Sequence, residues 1–346
     1  MIAAQVPAAL ADFWGTATAG QWRSTGDDRI EVWVCHVPDG ATDPIYGGLP
    51  LRLPLTPADV IATVDEPVSA YFEVISNGQY RPVFVAGGEF QMEVADAPQT
   101  CIDAALDAAA DDTRAVLAVA DAEHGADQVG GFAIGGDPCP AAPPCSARES
   151  RRFAYVGASD FHPDWGAAPP MDLLEHELGH TLGWLHSAVT PDLAYESAID
   201  VMSNSAAPRE LVPARRDAAD TIAFNKVMAG WLPLSDVWTA PADVATVRLS
   251  PAAGSDGTRL ALLPTADGFL TVELLTAAGY DDHLPADGIA VHRVTLADTQ
   301  ITEIAPLVGE SPFTALLQPG GSLDTTEWAI TVGDDWTITV VPAQTS

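Results

Sequence analysis

Hydrophobic and polar positions alternate over residues 30–38, IEVWVCHVP, and predict a strand. From 56 to 78 the apolar positions recur at helical spacing, with Thr56 as N-cap and Asn77-Gly78 as a stop. Strand texture returns over 80–94, and an Ala- and Asp-rich stretch at about 101–124 reads as a second helix. Two further strands are expected at 129–136 and 151–159. This β-α-β-α-β-β order predicts an α/β layer on a mixed, twisted sheet. Pro169-Pro170 introduce a helix from Met171 to about Gly183, with Asp172 favourable to its dipole. Another helix is expected near 215–230. Beyond 238, short alternating runs such as VATVRLS, FLTVELL and GIAVHRV stand between Gly, Asp and Pro turns, the pattern of an antiparallel β-sandwich. The chain is thus expected to be α+β, with an N-terminal extension (1–29), a principal domain (30–235) and a C-terminal β-sandwich (236–346).

Composition narrows the possible partners. The chain has 346 residues, 47% of them hydrophobic, enough for a sizeable core, and a formal net charge of -33. Such acidity repels nucleic acid and anionic membrane surfaces, so neither is expected as a partner. No run of apolar residues is long enough to span a bilayer. The segment before Arg23 lacks a basic n-region and a clear apolar core, so no intact signal peptide is read there, and the chain is taken as a mature or truncated form. Four cysteines without a CxxC pair favour two disulfides, Cys35–Cys101 and Cys139–Cys145, and hence an exported protein.

The chemistry concentrates in His176-Glu177-Leu178-Gly179-His180-Thr181-Leu182-Gly183-Trp184-Leu185-His186. On a helix, positions i and i+4 share a face, so His176 and His180 can present imidazoles to one metal ion. Gly183 can take the left-handed conformation that ends the helix and lets His186 complete the set. Three neutral imidazoles with an open fourth position suit a catalytic Zn2+. Glu177, one position round from His176, suits the general base that takes a proton from the attacking water. Three of the chain's eight histidines fall at these spacings, which argues against a chance cluster on a solvated helix. A purely structural zinc is disfavoured, because such sites close with four protein ligands and no cysteine lies nearby.

The run HELGHTLGWLHS resembles the metzincin zinc metallopeptidases, whose pattern is HExxHxxGxxH followed by a methionine turn. Ala198-Ile199-Asp200-Val201-Met202-Ser203 is similar to that turn. The resemblance implies that Met202 forms an apolar floor beneath the metal without ligating it. Asn204 stands where some branches carry a switching tyrosine, so no tyrosine ligand is expected. Tyr195, the run FNKVMAGWLP (224–233) and the tail segment 269–294 are similar to the immune-inhibitor-A-like and gametolysin-like group. The family implies a secreted zinc endopeptidase whose protein or peptide substrate pairs with an edge strand within 129–159.

Other features carry less. Cys35-His36-Val37-Pro38-Asp39 faintly resembles the matrixin cysteine switch, but the even cysteine count favours a disulfide. His162 is read as a loop histidine, and His283 and His292 lack ligand spacing. Asp111-Asp112 and Asp281-Asp282 are candidates for Ca2+, yet no EF-hand pattern supports them. The competing function is a catalytically silent adhesion protein on the same scaffold; such proteins commonly lose the base or a ligand, whereas Glu177 and all three histidines are present.

Overall fold

The computed structural model describes residues 23–42, 52–124, 131–136, 145–162, 169–187, 195, 197–297, 300–308 and 316–343. The fold is mixed α+β, with several sheets, a β-rich C-terminal part and, among the described residues, six α-helices. Among the described residues, no helix is long and apolar enough to cross a membrane. Two compact units emerge: Gly20–Trp184 with Ala214–Ala218, and Leu185–Pro213 with Ala219–Ser346.

The first unit is organised by a five-stranded sheet. Its strands are β1 (Gly26–His36), β2 (Tyr80–Gln91), β3 (Ala115–Ala120), β4 (Gly131–Ile134) and β5 (Phe153–Val156), in the order β2-β1-β3-β5-β4. The first four in this order run parallel and the edge strand β4 runs antiparallel to β5, giving the expected mixed sheet. Helix α1 (Pro57–Ile75) starts where Thr56 and Asp59 exchange side-chain to backbone hydrogen bonds in a capping box, and Asn77 and Gly78 beyond its end both have positive φ.

The region expected as one helix at 101–124 is instead α2 (Pro98–Ala108) followed by β3, AVLAVA. All six β3 residues are buried. A strand covered on both faces has no polar alternation, so its period cannot be told from that of a buried helix. Cys35 on β1 and Cys101 on α2 form the expected disulfide inside one hydrophobic cluster. Cys145 is also disulfide-bonded, while its expected partner Cys139 lies outside the described residues. Two further helices close this unit's list, α3 (Ala147–Ser150) and α4 (Asp172–Thr181).

The second unit holds α5 (Ala207–Leu211), α6 (Ala223–Ala229) and strands β6 (Val237–Thr239), β7 (Ala245–Arg248), β8 (Leu260–Pro264), β9 (Gly268–Leu275), β10 (Gly288–Ala297), β11 (Gln300–Pro306), β12 (Ser322–Asp324), β13 (Trp328–Val332) and β14 (Thr337–Pro342). The helix expected over 215–230 is confined to α6, because N–H groups before and at its start donate elsewhere, Ala218 to Glu175, Asp220 to Asp281 and Ala223 to Glu273. One sheet has the order β11-β10-β9-β8-β6 and the other β12-β13-β14-β7. Alternate residues of both sheets, such as Leu270 and Val272 of β9 with Ile330 and Ile338 of β13 and β14, share one hydrophobic cluster. The opposite face of β9 offers Phe269 to Phe224 of α6, with ring centroids 5.5 Å apart.

Candidate metal centre

Helix α4 forms because both of its ends are satisfied. The N–H groups of Met171 and Asp172 donate to the Arg216 carbonyl at 2.7 and 3.2 Å. Asp172 and Glu175 place carboxylates in the first turn, where the helix dipole favours them. At the far end Gly183 has φ of 77°, and the N–H groups of Gly183 and Trp184 return to the carbonyls of His180 and Gly179. A β-carbon-free residue is what permits this stop, three residues before His186.

One ligand atom from each of His176, His180 and His186 lies within 4.8 Å of the others, the only such group of three among the described residues. Two nitrogens sharing a tetrahedral zinc at about 2.05 Å stand about 3.4 Å apart, so the trio needs only a modest inward adjustment to fit one ion. His176 and His180 have ring centroids 4.9 Å apart at 85°. His180 Nδ1 lies 2.7 Å from the Trp184 carbonyl oxygen. That bond requires the proton on Nδ1 and leaves the Nε2 lone pair for a metal. Burial lowers the pKa of His186, which favours the neutral imidazole that a cation needs.

Glu177 is 4% exposed, and its Oε2 has no hydrogen-bond partner. Burial first, and then the charge of Asp160, push its carboxyl up to about 8. Strand β4 passes directly against it. A Cβ on Gly131 would stand 2.7 Å from both Cγ and Oε1 of Glu177, so any larger residue here would push the Glu177 carboxylate from its place. The neighbouring Glu175 does different work: its Oε2 accepts from the Ala218 N–H at 2.7 Å and ties α4 to the Ala214–Ala218 segment. Burial, then Asp217, hold its carboxyl well above the ordinary range.

The methionine turn is closed by the Ser203 N–H donating to the Asp200 carbonyl at 2.9 Å, and Met202 is fully buried. Asn204 makes no contact of the switching kind; its Nδ2 lies 3.4 Å from Glu210 Oε2. A different tyrosine reaches a predicted ligand. The Tyr195 hydroxyl is 3.3 Å from His186 Nε2, with the rings 5.1 Å apart. His162 follows the turn Ala158–Phe161 and is not among the trio. Cys35 is committed to its disulfide, and Asp281 accepts an internal hydrogen bond from the Asp220 N–H. The approach of Gly131 and the charge of Asp160 at Glu177 were not legible in the sequence, because each reaches across the fold and neither has a motif; Tyr195 stood out only by family resemblance, without its contact to His186.

No family model matches the chain, and no curated protein matches it. Among solved structures, one described as a chaperone-substrate complex is similar over 47% of this chain and 24% of its own length. It has 13% sequence identity and a TM-score of 0.24, too low to bear on fold or function.

Proposed function

We propose that this chain is a secreted zinc-dependent endopeptidase of the metzincin type, with His176, His180 and His186 holding the metal and Glu177 as general base. The observation that carries this reading is the convergence of three imidazoles beside a buried carboxylate with one oxygen unpartnered. Bound zinc would polarise the scissile carbonyl and acidify a water molecule. Glu177 accepts the water's proton and passes it to the leaving amine. Burial raises the proton affinity of this carboxyl, and a cation nearby would favour the ionised form that accepts the water's proton. His180 is held in the right tautomer by the Trp184 carbonyl.

Strand β4 suits the substrate-binding role. Among the described residues it pairs with β5 on one side only, which leaves its other edge to hydrogen-bond an extended peptide. Gly131 lets that edge run against Glu177, which would bring a paired backbone close to the base. The Cys35–Cys101 disulfide fits an oxidising compartment.

The direct test incubates the purified chain with a denatured protein mixture, with and without a chelator, and maps cleaved bonds by mass spectrometry. Chelator-sensitive cleavage is expected. Glu177→Ala should keep zinc and fold while turnover falls about 10²–10⁴-fold. Undiminished turnover would remove the base assignment, and an intact, zinc-loaded chain that cleaves nothing would favour the silent binding protein. Gly131→Ala should retain zinc and lose about 10²-fold in kcat, because the new Cβ displaces the carboxylate. Activity within a factor of two of the parent would contradict the crossing described above.

A further inference from the structure

The stretch that carries His186 is built into the β-rich tail. Leu185–Pro213 forms one compact unit with Ala219–Ser346, and the residue after His186 is clamped in three ways. The Ser187 N–H donates to the Met202 carbonyl at 3.1 Å, its hydroxyl donates to Asp200 Oδ2 at 2.6 Å, and its backbone bridges Ile304 of β11. Ser187 is fully buried.

Asp200 gathers further partners. Its Oδ1 accepts from the Thr221 hydroxyl at 2.9 Å and from the Met202 N–H at 3.3 Å. The tail then holds the methionine turn from outside. His283 Nε2 lies 2.7 Å from the Ala198 carbonyl oxygen, which calls for an N–H at that position. The Val201 N–H donates to the Asp220 carbonyl, and the Asp220 N–H donates to Asp281 Oδ1 at 3.1 Å. These groups are buried, where each hydrogen bond is costly to break and geometry is tightly determined.

We propose that the β-rich tail is the mount of the third metal-ligand histidine, with Ser187, Asp200 and His283 as positioning residues. The proposal rests on the metal-site reading above. It gives the tail a part in metal binding instead of the role of an appended module. A donor held in place before the ion arrives binds it more tightly than one that must be ordered, and partners behind a ligand commonly govern metal affinity. Linkage adds a converse: an ion that binds only the folded site must stabilise the strands that hold it.

The test uses the full chain and Zn2+. Dissociation constants are measured by competition with a chromophoric chelator, at a temperature where circular dichroism shows every variant folded. Amide exchange is followed with and without the ion. Ser187→Ala and His283→Phe are each expected to weaken Zn2+ binding about 10–100-fold. His283→Gln, whose amide can still donate to the Ala198 carbonyl, should recover most of the loss. Zn2+ should slow exchange across Gln300–Pro306 in the parent and less so in His283→Phe. Parental affinity in both Ser187→Ala and His283→Phe would overturn the proposal. So would His283→Gln being as weak as His283→Phe, which would assign the loss to general destabilisation. A parent chain that takes up no Zn2+ would instead remove the metal-site reading, and this proposal with it.

Discussion

The proposed metal-binding helix and the methionine-turn region, one in each unit, bury their acids differently. In the first, the helix that carries His176 and His180 has two buried glutamates, each with one carboxylate oxygen unpartnered: Oε1 of Glu175 and Oε2 of Glu177. In the second, Asp200, Asp220 and Asp281 accept from hydroxyls, backbone N–H groups or an ammonium. A buried carboxylate without its full set of partners is costly and calls for a reason. For Glu177 the proposed chemistry supplies one: an oxygen without an internal donor is open to a water molecule and then to its proton. Around the methionine turn, by contrast, Asp200, Asp220 and Asp281 are partnered and hold loops in place as a frame. An unpartnered oxygen alone does not mark chemistry, since Glu175 and Glu273 each have one and each also ties a backbone N–H.

Lys226 is the sharpest place to break that contrast. It is the chain's only lysine, it is 1% exposed, and its Nζ lies 2.6 Å from Asp220 Oδ2. Lys226→Ala would leave Asp220 buried without its counter-ion, at a cost of about 3–5 kcal/mol. Urea unfolding of the full chain would measure it as a lowered midpoint at constant slope. The double variant Lys226→Met with Asp220→Asn should restore most of the stability, since removing both charges also removes the desolvation cost. A single variant that loses less than about 1 kcal/mol would mean that the pair is not part of the frame.

How much of this was legible depends on the distance over which each feature is determined. The histidine trio and Glu177 are local: helical periodicity and one glycine bring them together within eleven residues. Helix α1 was legible too, since Thr56 and Asp59 cap it from within its own first turn. Strand β3 was not. Its AVLAVA sequence is compatible with helix, and only coverage of both faces by the rest of the fold selects a strand. The start of the 215–230 region failed for a related reason. RRDAAD can be helical, but the Ala218 N–H is taken by Glu175 and the Ala223 N–H by Glu273, so tertiary acceptors prevail over local propensity. The contacts of Ser187 and His283 gave no signal, because their partners lie 13 and 85 residues away.

His292 offers a finer cut through the same comparison, since it is a buried base of the second unit without a partner. It is fully buried on β10, and neither ring nitrogen has a hydrogen-bond partner. Burial lowers its pKa from 6.5 to about 4. A depressed base contributes stability that is present above its unfolded value and is lost as pH falls through the folded one. The window is therefore pH 6.5 down to about 4, and the stability that His292 contributes should be about 1 kcal/mol lower at pH 5.5 than at pH 7.5. Glu273, which shares this face of the sheet on β9, is raised from 4.5 to about 8, so it takes up a proton on folding and acts in the opposite direction; the His292 effect is therefore read as the difference between parent and variant. His292→Leu should unfold with nearly parental stability at pH 7.5, because an apolar side chain of similar size leaves no unpaired group behind. Between pH 6.5 and 4 its stability should fall less steeply, by up to one bound proton. Urea midpoints at half-unit pH steps would measure the difference. Identical slopes for parent and variant would show that His292 has a partner at acid pH, and that the second unit leaves no buried base unsatisfied.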